Sequence, residues 1–195
     1  MNLLTQEHAI ELLQKSGALL SGHFILTSGL HSDRYVEKFR LLERPEYCAP
    51  FANSIAEKFR DKKPTVVVGP AMGGIILAYE VARALGTRMA FPERVDGKFA
   101  FRRGFEFTAD DRILAVEDIV TTGGSIQEVI DVLNATSGKL IGLGLICDRS
   151  GGKVQFSVET YSVVQLNIQT WQADALPPHL QNIPAVKPGS RSLPQ

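Results

Sequence analysis

One stretch constrains the fold more than any other: Ile113-Leu114-Ala115-Val116-Glu117-Asp118-Ile119-Val120-Thr121-Thr122-Gly123-Gly124-Ser125. Its apolar start predicts a strand, which two adjacent acids close before a hydroxyl- and glycine-rich turn. A helix is predicted next, because Ile126, Val129, Ile130 and Leu133 recur at the i, i+3, i+4, i+7 spacing of one buried face. A strand that passes through glycines into a helix turns backbone N–H groups and the positive helix end toward an anion. Thr121, Thr122 and Ser125 add hydroxyl donors, and Gly123 and Gly124 let the backbone come close. Paired acids at a strand end suit sugar hydroxyls or a hard cation. The stretch therefore reads as a grip on a phosphorylated sugar, by its phosphate at one end and its diol at the other.

The segments on either side repeat this architecture. Thr65-Val66-Val67-Val68 is a β-branched run of the kind covered on both faces of a sheet. It leads through Gly69-Pro70-Ala71-Met72-Gly73-Gly74 into a helix predicted to carry Ile75, Ala78, Tyr79, Ala82 and Leu85 on its apolar face, with Gly86 as its stop. That loop matches neither the Gly-x-x-x-x-Gly-Lys nor the Gly-x-Gly-x-x-Gly fingerprint, and a strand-ending Gly-Pro turn is often plain punctuation. After the central helix, with Gly138 as its predicted end, Lys139 to Cys147 reads as another apolar strand and finishes in Asp148-Arg149-Ser150-Gly151-Gly152. Strand, helix and strand in succession imply parallel pairing with a right-handed crossover. Arg149 then falls at a carboxyl end of the sheet, where open α/β sheets bind ligands, unless it only pairs with Asp148 or another acid nearby. Residues 156–170 hold one or two further strand-like runs.

The remaining segments are more local. Residues 2–16 predict an amphipathic helix with Leu3, Ile10 and Leu13 on one face and Gly17 as its stop. Residues 22–38 hold two strand-like runs around a Ser-Gly turn, with more polar side chains than a plain surface hairpin needs. Pro45 suits the first turn of a helix that carries Cys48, Phe51, Ala52, Ile55 and Phe59 along one face. Between Thr87 and Phe107 five basic residues face three acids, and Asp96-Gly97 predicts a tight turn that puts Arg94 and Lys98 near a hairpin tip. Most charge runs are simply solvated, but this one precedes the central strand in a chain without another cationic cluster. The last 19 residues carry five of the ten prolines, so the tail from Pro177 is predicted to be irregular.

Composition narrows the function classes. At 195 residues the chain is long enough for one domain with a sizeable core. Basic and acidic residues both number 21, so no global field draws nucleic acid or an anionic membrane. No stretch approaches the roughly 20 apolar residues of a membrane span, and Glu7, Glu11 and Lys15 interrupt any leader-like run. Cys48 and Cys147 are isolated, in no metal or redox spacing, as suits a reducing compartment. The expectation is a cytoplasmic protein that meets small molecules.

An apolar strand, Glu117-Asp118, two residues and then Thr121-Thr122-Gly123-Gly124-Ser125 resembles the diphosphoribosyl-binding signature of type I phosphoribosyltransferases. The resemblance implies an α/β fold: a central, mainly parallel sheet flanked by helices, under a small hood from the N-terminal and C-terminal segments. The chain would then be a single domain over residues 1–195, with a hood at about 1–40 plus the tail and a core at about 45–165. It also implies transfer of ribose 5-phosphate from 5-phosphoribosyl 1-diphosphate (PRPP) to a nitrogen nucleophile. By the same resemblance Glu117 and Asp118 hold the ribose hydroxyls, Thr121, Thr122, Gly123, Gly124 and Ser125 cradle the 5′-phosphate, and Ile119 and Val120 complete the PRPP-binding stretch. Ala71-Met72-Gly73-Gly74 would be the diphosphate loop. Mg²⁺ is expected as cofactor, held mainly through PRPP, with no protein ligand assigned.

Three further segments resemble orotate phosphoribosyltransferases in particular. They are Gly22-His23-Phe24 with Leu26-Thr27-Ser28-Gly29, Ser32 and Tyr35; Asp148 to Gly152; and the ending Pro184-Ala185-Val186-Lys187-Pro188-Gly189-Ser190. Orotate as acceptor, bound by Arg149 and Thr121, is what this implies, together with a place in the making of UMP and a homodimer. Arg94 and Lys98 would sit on a mobile loop facing the diphosphate, Lys98 catalytic alongside Glu117 and Asp118. The sequence departs from that pattern in places. Thr27 and Gly73 stand where many such enzymes carry lysine, residues 93–103 lack a histidine, and Leu176-Pro177-Pro178-His179 replaces a Cys-x-x-Cys pair. A purine or uracil phosphoribosyltransferase, or a non-catalytic PRPP-binding regulator, shares the central motif and stays open at this point.

Overall fold

The structure is a computed structural model that describes residues 3–26 and 28–188. Thr27, and Gly189 and Ser190 of the ending segment, lie outside these residues. In chain order the elements are α1 (Gln6–Lys15), β1 (Leu19–Ile25), β2 (His31–Val36), α2 (Lys38–Leu42), α3 (Pro45–Phe59), β3 (Val66–Val68), α4 (Gly73–Leu85), β4 (Arg88–Ala90), β5 (Pro92–Val95), β6 (Lys98–Phe101), β7 (Arg112–Val120), α5 (Gly124–Asn134), β8 (Lys139–Asp148), β9 (Thr160–Gln165) and α6 (Pro178–Gln181).

Five strands form one sheet in the order β4-β3-β7-β8-β9, and every neighbouring pair is parallel. Consecutive strands β3 and β4 step one way and β7 returns on the other side of β3. The connections from β3 and β7 therefore leave in opposite directions and open a crevice at their carboxyl ends. Both faces of the sheet are covered, as its apolar strands require. Phe51, Ile55 and Phe59 of α3 and Leu77 and Val81 of α4 pack on one face, with Leu13 of α1 beside them. Ile126, Val129, Ile130 and Leu133 of α5 pack on the other, joined by Phe99 of the β5–β6 hairpin.

The hood is the antiparallel β1–β2 pair, and the tail is stitched to it. Ile25 N donates to Val186 O at 2.8 Å, and Val186 N donates to His23 O at 2.8 Å. His31 and Trp171 exchange two backbone hydrogen bonds in the same way.

Several boundaries differ from the sequence expectation. Helix α1 begins at Gln6 because the Thr5 hydroxyl accepts from His8 N, which leaves Leu3 outside the helix and exposed while Ala9 joins Leu13 in the core. The buried face of α4 is Leu77, Ala78, Val81 and Ala82, so Tyr79 points to solvent. Helix α5 stops at Asn134 rather than at Gly138, since the Thr136 hydroxyl donates to Leu133 O and closes the last turn. The acids Glu117 and Asp118 lie within β7, not beyond its end, because pairing with β8 continues to Val120. Residues 156–170 yield one strand, β9, and the tail contains the short helix α6.

The two leucines of the first segment test this register. Leu13→Ala should lower the unfolding free energy by about 2–5 kcal/mol, and Leu3→Ala by less than about 0.5 kcal/mol. Urea unfolding of both variants measures the difference.

Candidate active site

At the β3–β7 crevice lies a cleft of about 220 Å³ whose walls are the two glycine loops. The second loop is an anion cradle by construction. The first backbone bond of α5 runs from Gln127 N to Gly123 O, so the amides of Gly124, Ser125 and Ile126 precede any intrahelical acceptor. Gly123 takes φ +77°, and a Cβ there would lie 2.6 Å from Val154 Cγ1, so only glycine lets the turn sit against that side chain. The hydroxyls of Thr121, Thr122 and Ser125 engage no side-chain or backbone partner among the described residues. They are left as donors around an open, helix-terminated pocket.

The two acids behind this loop have different surroundings. Asp118 is almost fully buried. Its Oδ1 accepts from Ile119 N at 2.7 Å and from Lys38 Nζ at 3.1 Å, and Lys38 Nζ stands 2.8 Å from Oδ2. That last contact is an ion pair without hydrogen-bond alignment, so buried Oδ2 has no donor aimed at it. The first loop presses against the same oxygen: a Cβ on Gly73 would lie 1.8 Å from Asp118 Oδ2. A side chain at position 73 would therefore displace the carboxylate from this position. Glu117 accepts from Asp118 N at 3.0 Å. Burial, and then the neighbouring Asp118 carboxylate, push its pKa up to about 8.

A second cleft of about 760 Å³ opens beside the first and shares Thr121 and Thr122 with it. Arg149, Tyr35, Ser28 and Asn167 line it. Arg149 is held from below, its backbone N donating to Val120 O at 2.8 Å. Its side chain makes no ion pair among the described residues, and Nε is buried with no hydrogen-bond partner. The pairing with Asp148 does not form, because Asp148 Oδ1 accepts from Ser150 N at 2.7 Å instead. A half-buried guanidinium with an unpartnered Nε and no carboxylate beside it stands ready for an anionic ligand.

The expected site residues divide accordingly. Glu117 to Ser125, Ala71 and Gly73 line the first cleft, and Thr121 and Arg149 meet in the second. Gly74 is buried behind the loop and Met72 is 71% exposed beside it. Arg94 and Lys98 lie on the β5–β6 hairpin, whose Asp96-Gly97 turn is as predicted, with positive φ at both residues. Arg94 is committed to Gly97 O and Glu128 and stacks over Phe99, its guanidinium carbon 4.2 Å from the ring centroid. Phe99 lines the first cleft, so its strand neighbour Lys98 points away from it. Lys38, Asn167 and Lys153 line the clefts without having been singled out in the sequence. Lys38 opens a five-residue helix with too little periodicity to mark it.

The phosphoribosyl transferase domain family matches residues 41–182 of the chain. The orotate phosphoribosyltransferase of Caldanaerobacter subterraneus subsp. tengcongensis is 46% identical over 190 residues, 97% of this chain and 100% of that protein. That of Thermotoga maritima is 47% identical over 183 residues, 94% and 98% of the two chains. This chain belongs to the orotate phosphoribosyltransferase family. Among solved structures, orotate phosphoribosyltransferase from Aeropyrum pernix superposes with a TM-score of 0.63 at 26% identity, covering 80% of this chain and 92% of that one. The Mycobacterium tuberculosis orotate phosphoribosyltransferase bound to inorganic phosphate gives 0.66 at 24% identity, with 83% and 95% covered, and supports the fold alone. The five-stranded parallel sheet flanked by helices is therefore the type I phosphoribosyltransferase fold of this family.

In an orotate phosphoribosyltransferase built this way, Glu117 makes stability depend on pH. Unfolded, the carboxyl releases its proton near its ordinary value of 4.5, while the folded chain keeps it to about 8. The folded state binds the extra proton between these values, so this contribution is fully present below about 4.5 and gone above about 8. The melting temperature of the ligand-free protein should therefore fall between pH 5 and pH 8.5, and Glu117→Gln should flatten that fall.

Proposed function

We propose that this chain transfers ribose 5-phosphate from PRPP to orotate, giving orotidine 5′-monophosphate and diphosphate in the making of UMP. The observation that carries the reading is the sharing of Thr121 and Thr122 by two clefts of different character. One is an anion cradle backed by buried acids, and the other holds a half-buried guanidinium without an acid partner among the described residues. A donor sugar phosphate in the first would meet a planar anion in the second across those two threonines. Arg149 can take a carboxylate in bidentate fashion, which favours orotate over neutral purines or uracil.

In the reaction the orotate N1 bonds to C1 of the ribose as the C1–O bond to diphosphate breaks. The electron pair leaves with the diphosphate and N1 gives up its proton. Positive charge develops on the ribose while negative charge departs, so positioning and electrostatics do most of the work. The loop from Thr121 to Ser125 fixes the 5′-phosphate, Asp118 Oδ2 accepts from a ribose hydroxyl, and the protonated Glu117 carboxyl can both donate to and accept from the other. Arg149 and Thr121 orient the pyrimidine. Lys98 and Arg94 would serve the leaving diphosphate from the hairpin, Arg94 after exchanging its exposed pair with Glu128.

Mg²⁺ would enter with PRPP, in a cleft whose wall carries the acids Glu117 and Asp118 as hard oxygen donors. Substrate oxygens would supply most of its coordination, and the ion would neutralise diphosphate charge. A reducing, cytoplasmic setting suits the two free, buried cysteines, and no helix among the described residues is long and apolar enough to cross a membrane.

A homodimer is part of the same reading. Met72, Ile76 and Tyr79 form an exposed stripe along α4 that starts in the diphosphate loop. A second copy is the occupant proposed for it, as an exposed apolar stripe on a helix suits association. Sedimentation at micromolar concentration should give a dimer that Tyr79→Lys shifts toward monomer; a wild-type monomer would refute this.

With PRPP and Mg²⁺, orotate absorbance should decline as diphosphate is released, and a chelator should stop the reaction. Arg149→Ala should raise the orotate KM by about tenfold or more while changing the PRPP KM far less. Turnover of hypoxanthine or adenine with orotate untouched would refute the assignment.

A further inference from the structure

The donor cleft must accept a sugar carrying phosphate at one end and diphosphate at the other, yet its walls are nearly bare of positive charge. Ala71 and Gly73 of the first loop contribute no side-chain donor, and Arg94 and Lys98 lie outside the cleft. Lys38 is the single basic residue among the described residues that line it. Its ammonium rests on the carboxylate of Asp118, 2.8 Å from Oδ2, the oxygen that the Gly73 backbone also approaches. Because both contacts converge on one atom, Nζ stands next to the first loop at the mouth of the cleft. The side chain is 37% exposed, so it can move without breaking into the core.

We infer that Lys38 is a diphosphate-binding residue that exchanges partners when the sugar enters. The inference rests on the reading of this cleft as a PRPP site. Without ligand, Lys38 keeps the buried Asp118 carboxylate from standing uncompensated, which would be strongly destabilising. When a ribose hydroxyl donates to the unserved Oδ2, the carboxylate no longer depends on the ammonium alone. The lysine stem has several rotatable bonds and three donors, so Nζ can turn from Oδ2 to oxygens of the diphosphate beside the first loop. Charge missing from the first loop is thus delivered from the start of α2. The coupling gives selectivity: a sugar with the diol but without the diphosphate frees Nζ and offers it nothing in return.

Direct titrations without any acceptor test this. Inorganic diphosphate and ribose 5-phosphate, each with Mg²⁺, are titrated calorimetrically into wild type, Lys38→Met and Lys38→Arg. Lys38→Met keeps the stem but not the charge. It should weaken diphosphate by about tenfold or more, as loss of a charged hydrogen bond does, and ribose 5-phosphate by less than about threefold. Lys38→Arg should recover much of the diphosphate affinity. The KM for PRPP should follow the diphosphate result, with the orotate KM nearly unchanged. Equal weakening of both ligands would make Lys38 a mere prop for Asp118 and overturn the inference, as would unchanged diphosphate binding. A thermal melt of each variant separates these outcomes from misfolding. Failure of the orotate reading would look different: no orotate consumption, with both titrations as described.

Discussion

The carboxylate of Asp118 is the point on which the site depends. It is buried near the carboxyl end of the central strand β7, and three separate parts of the chain are fitted to it. Lys38 brings an ammonium from α2, Gly73 brings bare backbone from the start of α4, and Ile119 donates its own amide. A buried charge of this kind tolerates few arrangements, because every neighbour must either stabilise it or stay clear of it. The glycine of the first loop and the lysine of α2 are therefore two halves of one requirement. Glu117 meets the same requirement differently, because burial and the Asp118 carboxylate push it toward its protonated form. Two adjacent acids in one strand thus take on different characters from their surroundings alone.

The sheet topology explains why these parts meet. Strands β3 and β7 are neighbours whose connections diverge, so the first loop, the second loop and the acids converge on a single crevice. Strand β8 then places Arg149 one strand further along, close enough that Thr121 and Thr122 belong to both clefts. The anion cradle with its acids and the cleft of Arg149 are in this way separate in residues but contiguous in space. Among the described residues the β1–β2 hairpin and its turn line the second cleft, through Leu26, Ser28 and Tyr35.

Much of this was legible in the sequence because its signals are local. The apolar run of β7, the 3.6-residue spacing of α5 and the Asp96-Gly97 turn each specify their own geometry, and all three appear as read. The misreadings share a cause, which is that a side chain elsewhere decided the outcome. Thr5 moved the start of α1 by capping it, and Thr136 ended α5 early. The face of α4 was misjudged because a helix apolar nearly all round does not reveal which stripe the sheet covers, so Tyr79 was assigned to the core. Lys38 was invisible for a stronger reason: its partner is 80 residues away, and nothing in its own neighbourhood marks it. The Arg149 position was readable, but that its guanidinium lacks an acid depends on Asp148 turning to Ser150, which only the folded loop reveals.

The stitching of the tail to the first hairpin bears on the order in which the molecule can assemble. Ile25 and His23 bond to Val186, and His31 to Trp171, across nearly the whole length of the chain. Closing so long a loop early carries a large conformational-entropy cost, whereas a completed sheet already brings both ends to one edge. By loop-closure entropy the hood over the Arg149 cleft is expected to form after the sheet. Local opening that starts at the tail would expose the Arg149 cleft while leaving the anion cradle, which is built from contiguous residues of β7 and α5, intact.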